Sequence, residues 1–316
     1  MTPLRIIFMG TAELSCASLA ALVANNAFSL CAVVTQPDKP KGRELKPTPS
    51  PVKILAQKLN LPVLQPLKAR DENFLAELRQ LRPDLMVVVA YGQILPQAML
   101  DLPPHGCLNV HTSLLPKYRG AAPIQWAIAE GEAETGVTIM QMDAGLDAGP
   151  ILAARRTPIL PTDDSQALHD RLARLGAELL LATIPEFVAG NIRPQPQPAV
   201  GATYAAKIKK EDGKVDWSQP ARQIWNRLRA FTPWPGAFTF LTAEAKPQLL
   251  KIGKAEVVEH SGRAGEILAA DKTGIVVGCG QGALRILELQ REGGRMLPVE
   301  SFLAGFPLPV GAKFAD

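Results

Sequence analysis

The sequence predicts an α/β domain followed by a small OB-like β-barrel, and three observations indicate this architecture. Its 316 residues are enough for two domains that each bury a core. Short apolar runs alternate with helical spacing in the first part, whereas beyond about residue 207 the runs are β-rich and separated by glycine. Residues 191–206 are rich in proline, which disfavours helix and sheet alike. We therefore expect domains at 1–190 and 207–316, joined by an extended linker over 191–206.

The first domain is predicted to hold a parallel sheet covered by helices, because strand-like and helix-like segments alternate. Strands are expected within residues 4–10, 28–35, 61–65, 84–90 and 106–111, and helices within 13–26, 50–60 and 71–82. Beyond these lie a helix within 123–131 and strands within 135–142 and 150–159. A long helix is then expected from Thr162, which can cap it, to Gly190. Its buried stripe would be Leu168, Leu172, Leu175 and Leu179.

The second domain is predicted from three β-rich segments and one amphipathic helix. The β-rich segments are 251–259, 265–280 and 284–290, and the helix lies within 218–231. Residues 207–316 hold 16 Lys and Arg against 12 Asp and Glu, whereas residues 1–206 hold 18 of each. The net charge of +4 is therefore carried entirely by the second domain.

Composition excludes several classes of protein. Apolar residues make up 47% and charged residues 20%, as in soluble globular proteins, and the longest apolar run is too short to span a bilayer. The first residues resemble a buried strand more than a signal peptide. Cysteines at positions 16, 31, 107 and 279 have neither disulfide-framework nor zinc-finger spacing. We expect a cytoplasmic protein with reduced cysteines and no membrane association.

Asn109 and His111 stand two residues apart where a predicted strand ends. Alternate side chains of a strand point to the same face, so both could close on one small functional group. Ligands of open α/β sheets bind at the carboxyl ends of strands, which favours a site here. The alternative is a hydrogen-bonded histidine beside a turn-forming asparagine.

The segment "MDAGLDAGP" predicts a glycine-rich loop that carries Asp143 and Asp147. Either carboxylate could fold back onto His111, where it would accept from one ring nitrogen and leave the other for substrate. Alternatively, both are turn residues that bind their own backbone, which we favour for Asp143.

The predicted site lacks an activated nucleophile. Cys107 lies four strand residues from His111, or about 13 Å, and Ser113 is not in a G-x-S-x-G elbow. We therefore expect transfer between two bound substrates, with a neutral amine attacking unaided. Nicotinamide chemistry is disfavoured because the first loop, "GTAELS", has a single glycine. A metal site from His105, Cys107, His111 and an aspartate would be spread too widely along an extended strand.

Long stretches of the sequence resemble the folate-dependent formyltransferases. These are "NVHTSLLPKYRGAAPIQWAIAEG" from residue 109 and "TGVTIMQMDAGLDAGPIL" from residue 135. Two further stretches are similar to the branch of that family that acts on methionyl-initiator tRNA, namely "TQPDKPKGRELKPTPSPVK" and "DGKVDWSQPARQIWNRLRAFTPWPGAF". The resemblance covers nearly the whole chain. It implies a Rossmann-like formyltransferase domain and an OB-like domain that helps to bind tRNA.

The resemblance also implies the roles of individual residues. The catalytic residues would be Asn109, His111 and Asp147, which chooses between the two aspartates. The formyl donor would be 10-formyltetrahydrofolate, with no metal. Its site would be lined by Ser113, Leu114, Leu115 and Pro116 and, around the pteridine ring, by Val88, Val89, Ala90, Tyr91 and Gly92.

The segment from Gln36 to Pro51 is basic and long for a strand-to-helix connection. By itself it would be read as a solvated surface, but the resemblance implies a flexible loop that enters the tRNA acceptor stem, with Arg43 as a wedge. The residues implied in tRNA binding are Lys39, Lys41, Arg43 and Lys46, with Lys207, Lys209 and Lys210 as phosphate contacts. Trp225 and Trp234 could stack on bases, although their surroundings favour core packing.

We thus expect a monomeric enzyme that formylates methionyl-initiator tRNA for translation initiation. One alternative is a formyltransferase for a small amine, such as an amino sugar nucleotide or glycinamide ribonucleotide. Another is a non-catalytic RNA-binding protein on the same scaffold. The basic segment argues against the first, and the set of Asn109, His111 and Asp147 argues against the second.

Overall fold

A computed structural model describes residues 2–41, 46–242 and 247–315. The chain divides into two compact units, the first formed by residues 1–123, 134–158 and 169–205 and the second by residues 124–133, 159–168 and 206–316. The domain boundaries expected from the sequence stay a prediction. No helix within the described ranges is long and apolar enough to cross a membrane.

The helices and strands follow one another in an order that alternates at first and later becomes mostly β. The earlier elements are β1 (Leu4–Gly10), α1 (Leu14–Val23), β2 (Phe28–Val34), β3 (Lys39–Lys41), β4 (Lys46–Thr48), α2 (Pro51–Lys58), β5 (Val63–Leu64), α3 (Glu72–Gln80), β6 (Leu85–Val89), α4 (Gln97–Leu100), β7 (Cys107–His111), β8 (Arg119–Gly120), α5 (Pro123–Ala129), β9 (Glu134–Gln141), β10 (Ile151–Pro158), α6 (Ser165–Val188) and β11 (Tyr204–Ala205). The later elements are a 3₁₀ helix (Lys210–Gly213), α7 (Ala221–Ala230), β12 (Ala237–Leu241), β13 (Gln248–Val258), β14 (Ile267–Asp271), β15 (Gly274–Gly278), β16 (Ala283–Arg291), β17 (Leu297–Pro298), α8 (Val299–Gly305) and β18 (Phe314–Ala315).

The main sheet of the first unit has the strand order β10-β9-β7-β6-β1-β2-β5. Pairing is parallel from β7 to β5, which confirms the predicted parallel sheet, and becomes antiparallel at β9 and β10. The chain leaves β1 towards β2 and β5, then returns to β6 on the other side of β1. Such a reversal of strand order creates a crevice at the carboxyl ends of the strands. The candidate site lies at this edge of the sheet.

Most of the predicted helices form where expected, with caps that the sequence supplies. The Ser50 hydroxyl accepts from the amide of Lys53 at 3.0 Å at the start of α2, and Asp71 Oδ1 accepts from the amide of Phe74 at 3.1 Å at the start of α3. The predicted stripe of α6 lies on its buried side. The expected cap of α6 was wrong, however: Asp164 Oδ1, not Thr162, accepts from the amide of Ala167 at 2.8 Å. A side chain directly before the first helical residue reaches that amide, whereas Thr162 is too far upstream.

The second unit contains an antiparallel sheet with the strand order β14-β15-β16-β13-β12-β18, and β17 pairs with β16. Its two ends meet, because Glu266 bridges Lys313 and the amide of Phe314 donates to the Gly265 carbonyl at 2.8 Å. The sheet therefore closes on itself. Inside lies an apolar core that includes Trp217, Ile286, Leu289 and Phe314. The predicted small β-barrel is confirmed.

The predicted linker is extended, but it is not a free connection. Gln195 forms an antiparallel bridge with Ile151, and the amide of Thr203 donates to the Pro116 carbonyl at 3.3 Å. Strand β11 then pairs in parallel with β8. Proline prevents residues 194–198 from joining a continuous sheet, yet the remaining polar groups of the segment still bind the first unit.

Candidate active site

The structure brings Asn109, His111 and Asp147 together. Asn109 and His111 lie on the same face of β7, with 9% and 6% of their surfaces exposed. Asn109 Nδ2 donates to Asp147 Oδ1 at 3.3 Å, and His111 Nδ1 lies 3.7 Å from Asp147 Oδ2. One carboxylate thus faces both an amide and an imidazole at the carboxyl end of a strand.

Asp147 is held by its backbone as well as by its side chain. Its φ of 47° is in the left-handed region, which is unfavourable for a residue with a Cβ and must be supported by neighbouring contacts. The amide of Gly120 donates to Asp147 Oδ2 at 2.8 Å, and Gln197 Nε2 donates to the Asp147 carbonyl at 2.8 Å. A Cβ at Gly149 would lie 1.9 Å from the Gln141 carbonyl oxygen, so the loop also requires glycine there. These contacts therefore hold the Asp147 loop and its carboxylate in place.

Asp143 has a different role from Asp147. Its Oδ1 accepts from the amide of Gly145 at 2.9 Å, and its side chain is exposed. This is the turn contact that the sequence favoured for Asp143. The two aspartates of one loop thus differ in their surroundings, which allows each to serve as a control for the other.

The orientation of His111 differs from the expectation in one respect. Its Nε2 lies 2.9 Å from the Tyr118 carbonyl oxygen. A carbonyl oxygen only accepts, so Nε2 carries a hydrogen in the neutral and in the charged ring. The expected arrangement, with one nitrogen on the aspartate and the other free for substrate, is therefore wrong. The nitrogen that faces Asp147, Nδ1, is therefore the one that is not bound to the Tyr118 carbonyl.

Cys107 is a buried core residue. Its thiol lies 3.8 Å from the Met99 carbonyl oxygen, and burial raises its pKa from 9.0 to about 12. A protonated thiol is a poor nucleophile and a poor metal ligand. Among the residues that the structure describes, no group of three or more His, Cys, Asp or Glu side chains could hold a metal ion.

Because the Cys107 thiol is buried, the free energy of unfolding is expected to fall at alkaline pH. The pKa of this thiol is about 12 in the folded protein, above its ordinary value of 9.0. Its contribution to the free energy of unfolding is therefore fully present below pH 9.0 and is lost as the pH rises towards 12. The free energy of unfolding, measured in urea between pH 8 and about 11, should fall less steeply in Cys107→Ala than in the wild type. Equal slopes for the two proteins would contradict this assignment.

The segment predicted to receive the pteridine ring runs from a buried strand into an exposed turn. Val88 and Val89 are buried in β6, and Val88 pairs with Asn109 of β7. Ala90 and Gly92 are exposed, with φ of 44° and 83°. This end of β6 therefore adjoins the Asn109 side of the site.

The carbonyl groups of this segment already have protein donors. The Val89 carbonyl accepts from the Ser15 hydroxyl at 2.5 Å. The Tyr91 carbonyl accepts from Thr11 Oγ1 and Gln36 Nε2, both at 2.8 Å. The Tyr91 ring is buried, and within the described chain its hydroxyl has no hydrogen-bond partner. These contacts fix the shape of the turn, and the role of its backbone towards folate stays a prediction.

The residues from Ser113 to Pro116 form a loop that is fixed on β9. The Ser113 hydroxyl donates to the Lys117 carbonyl at 2.6 Å, and this side chain is fully buried. Thr138 Oγ1 donates to the Ser113 carbonyl at 2.7 Å and accepts from the amide of Leu115 at 3.2 Å. Leu115 is buried, whereas Leu114 and Pro116 are half-buried. Of the four, Leu114 and Pro116 therefore have the more accessible side chains.

The basic segment contains two short paired strands. Strands β3 and β4 are antiparallel, and Lys39 pairs with Thr48 and Lys41 with Lys46. Lys39 Nζ donates to Gln36 Oε1 at 2.5 Å. Arg43, the expected wedge, lies outside the described residues. Proline is depleted in sheets, but a two-stranded hairpin leaves edge positions that tolerate it.

The predicted tRNA contacts of the second unit lie on an exposed surface. Lys207, Lys209 and Lys210 are exposed, and the amide of Lys209 donates to Asp212 Oδ2 at 2.7 Å.

Trp225 packs against the barrel core, and its Nε1 donates to the Ala255 carbonyl at 3.0 Å. Trp234 is 58% exposed, so the expectation of core packing was wrong for this residue. It lies between Pro233 and Pro235, beyond the end of α7 at Ala230, and so is not part of the apolar face of that helix.

Several residues of the site were not predicted from the sequence. These are the Tyr118 carbonyl, the Gly120 amide, Arg119 and Gln197. Backbone groups carry no sequence signal, and Gln197 lies in the proline-rich stretch that was read as a linker. The one sequence signal for Gln197 is a polar side chain placed between prolines.

Two family profiles match the chain. The profile described as formyl transferase covers residues 4–184, and the one described as formyl transferase, C-terminal domain, covers residues 207–307. The first alone matches more than half of the chain.

Similar proteins match along the full length. The chain is 51% identical over 316 residues to a methionyl-tRNA formyltransferase of Geobacter sulfurreducens, covering 100% of this chain and 98% of that protein. It is 50% identical over 309 residues to a methionyl-tRNA formyltransferase of Myxococcus xanthus, covering 98% and 97%.

Solved structures share the fold at low identity. HypX from Aquifex aeolicus in complex with tetrahydrofolic acid has a TM-score of 0.64 and 21% identity, over 98% of this chain but 48% of that one. WlaRD, a sugar 3N-formyl transferase in the presence of dTDP and 5-N-formyl-THF, has a TM-score of 0.66 and 19% identity, over 92% and 98%. At these identities the likeness concerns the fold alone.

Proposed function

Because the chain belongs to the methionyl-tRNA formyltransferase family, we propose that it transfers the formyl group of 10-formyltetrahydrofolate to the amine of methionyl-initiator tRNA. The products are formylmethionyl-tRNA and tetrahydrofolate. The observation that supports this chemistry is the meeting of Asn109, His111 and Asp147, in which the two contacts to the carboxylate measure 3.3 and 3.7 Å. We expect the reaction in the cytoplasm and a monomeric enzyme.

The nucleophile in this reaction is the substrate's own α-amine. An α-amine has a pKa of about 7.7–8.0, so a useful fraction is neutral at cellular pH. It attacks the formyl carbon, forms a C–N bond and converts the carbonyl oxygen into an oxyanion. The protein has to align the two substrates and stabilise that charge.

Asn109 and His111 stabilise the oxyanion as hydrogen-bond donors. The Asn109 amide nitrogen carries two hydrogens, so one can bind the oxyanion while the other stays on Asp147. His111 donates through Nδ1 when the ring is charged, because Nε2 is bound to the Tyr118 carbonyl.

Asp147 orients His111 and assists the movement of protons. The attacking amine must lose a proton, and the leaving nitrogen of the folate must gain one when its C–N bond breaks. A carboxylate held by the Gly120 amide and the Asn109 amide can accept the first proton through water. His111 and Asp147 together then provide a path by which a proton reaches the leaving nitrogen.

The folate lies along the carboxyl ends of β6 and β7 in this proposal. Val88 of β6 pairs with Asn109 of β7, so a pteridine ring at the turn from Ala90 to Gly92 would place its formyl group near the catalytic residues. Leu114 and Pro116 supply apolar contact from the other loop. No metal takes part in the proposed reaction.

The charged tRNA is bound by basic residues in both parts of the chain. Lys39, Lys41, Arg43 and Lys46 of the basic segment would contact the acceptor stem, and Lys207, Lys209 and Lys210 would contact phosphates. Phosphate contacts position a nucleic acid, while a planar guanidinium can stack and donate to base edges. The root of the hairpin is anchored on the sheet, because Asp38 binds Lys53 at 2.8 Å and Gln65 Nε2 at 2.8 Å.

Arg43→Ala is expected to weaken the use of tRNA without affecting the folate. Loss of a base-edge contact costs about 1–3 kcal/mol, so kcat/KM for charged tRNA should fall by roughly 5- to 150-fold. The measurement is steady-state formylation with each substrate varied in turn. Lys58→Ala, an exposed cation at the end of α2, is the matched control and should behave as the wild type. A change in the KM for 10-formyltetrahydrofolate would contradict the role assigned to Arg43.

One assay tests the proposed function. Formyl transfer from labelled 10-formyltetrahydrofolate is measured to methionyl-initiator tRNA, to uncharged tRNA, to an amino sugar nucleotide and to glycinamide ribonucleotide. We expect product with the charged tRNA alone. Transfer to a small amine at comparable kcat/KM would indicate the small-amine alternative, and tRNA binding without any transfer would indicate an RNA-binding protein.

A further inference from the structure

The proline-rich stretch that the sequence suggested as a linker reaches the candidate active site. Gln197, in the middle of this stretch, is half-buried. Its Nε2 donates to the Asp147 carbonyl and to the Gly149 carbonyl, each at 2.8 Å. The connection therefore contacts the loop that carries the proposed catalytic carboxylate.

The orientation of the Gln197 amide is determined by its partners. Its Oε1 accepts from Arg119 Nη2 at 2.7 Å and from Arg119 Nε at 3.1 Å. A flipped amide would set Oε1 against two carbonyl oxygens and the amide nitrogen against a guanidinium, which only donates. Both hydrogens of Nε2 are thus directed at the loop, and a charged donor reinforces the arrangement.

The same assembly also holds the carboxylate of Asp147. Arg119 precedes Gly120, whose amide donates to Asp147 Oδ2 at 2.8 Å. Strand β8, formed by these two residues, pairs with Tyr204 and Ala205 of β11, which ends the same stretch. A Cβ at Gly120 would lie 2.8 Å from the Ala205 carbonyl oxygen, so the two strands approach closely. Residues 197–205 consequently support Asp147 at both its backbone and its side chain.

The left-handed backbone of Asp147 explains why such support is needed. A non-glycine residue in this region is strained and persists only when neighbouring contacts hold it. The carbonyls of Asp147 and Gly149 flank the bend, and one amide group binds both. Without it, the loop could relax and the carboxylate would leave its place beside Asn109 and His111.

We propose that Gln197 is a positioning residue: its side-chain amide clamps the Asp147 loop in the left-handed conformation that presents the carboxylate to Asn109 and His111. The inference rests on the proposed function for its kinetic consequence. Gln197 acts through Asp147 and does not itself touch the reacting atoms.

The test compares three variants of the full chain. Gln197→Ala removes both the clamp and the contact with Arg119. Gln197→Glu keeps an acceptor for Arg119 but replaces the amide donor with a carboxylate that repels the two carbonyl oxygens. Gln195→Ala is the matched control, because Gln195 is an exposed glutamine of the same stretch whose Nε2 donates to the Arg193 carbonyl at 3.2 Å.

A small displacement of a catalytic group costs about 10- to 100-fold in rate. We therefore expect kcat for formyl transfer to charged tRNA to fall by about that factor in Gln197→Ala and in Gln197→Glu. The KM for both substrates and the Tm should remain close to wild type, and Gln195→Ala should match the wild type throughout. Wild-type kcat in Gln197→Glu would show that the Arg119 contact alone matters and would overturn the inference.

Amide hydrogen exchange provides a readout that does not depend on the reaction. Peptides covering Gly120 and residues 143–150 should exchange faster in Gln197→Ala than in the wild type or in Gln195→Ala. Unchanged exchange in these peptides would overturn the clamp even if activity fell. If the wild type formylates no charged tRNA, the proposed function fails, and the exchange measurement still decides the clamp by itself.

Discussion

Asp147→Ala is expected to lower kcat for formyl transfer by about 10²- to 10⁴-fold, the usual range for loss of a general acid–base group. The variant loses the carboxylate that binds Asn109 Nδ2 and faces His111 Nδ1. The proposed tRNA contacts lie on other residues, so the Kd for charged tRNA should change little. Single-turnover formylation and tRNA binding, measured on the same preparation, check both parts.

Asp143→Ala provides the control for this experiment. Asp143 belongs to the same loop and bears the same charge, but its carboxylate serves the turn at Gly145 and is exposed. Surface substitutions of this kind usually change stability by less than about 0.5 kcal/mol, and kcat should stay near wild type. If both variants lose activity equally, the loop as a whole is required and the specific role of Asp147 is wrong. Weak tRNA binding with normal turnover in Asp147→Ala would also contradict the assignment.

Asn109→Ala is expected to reduce kcat by about 10²- to 10³-fold, as is usual when one oxyanion donor is removed. The amide lies within reach of Asp147 on a buried strand, where water cannot replace it easily. Substrate affinities should be nearly unchanged, because the donor acts mainly on the charge that develops during attack. The measurement is single-turnover transfer at saturating concentrations of both substrates.

A second variant, Asn109→Asp, tests whether a hydrogen-bond donor is needed at this position. The side chain keeps its size, but a carboxylate replaces the donor and stands beside Asp147, so two like charges share the site. The loss of rate should be at least as large as in Asn109→Ala at pH 8. A rate equal to wild type at pH 8 would show that no hydrogen-bond donor is required at this position.

The parts of the fold that could be predicted from the sequence are those that depend on local pattern. The continuous apolar runs of β1 and β6 indicate strands that are buried on both faces of a parallel sheet. The spacing of apolar residues in α3 indicates a helix with one buried face. Ser50 before α2 has the residue type of a helix cap, because its hydroxyl can accept from an amide of the first turn. The hairpin of β3 and β4 could not, because its prolines and lysines lack a strand pattern and it is formed by backbone pairing.

Some residues of the candidate site could likewise be predicted from local pattern, whereas others could not. Asn109 and His111 could be paired from their spacing, because two residues of one strand share a face. The preference for Asp147 over Asp143 required either the resemblance or the structure, since both sit in similar Asp-Ala-Gly surroundings. The sequence contains no sign that Nε2 of His111 binds the Tyr118 carbonyl, a contact seven residues away that depends on how the loop turns.

The sequence by itself determined the class of this protein, the two-part architecture and the strand that carries the amide and the imidazole. Those features follow from short-range periodicity and from long stretches of similar residues. The tertiary structure decided how the carboxylate of Asp147 reaches them across 38 residues, and that Gln197, 50 residues beyond Asp147, supports it. Contacts over such separations depend on how the loops at the sheet edge fold and on the backbone groups they expose, and neither is encoded in any local pattern.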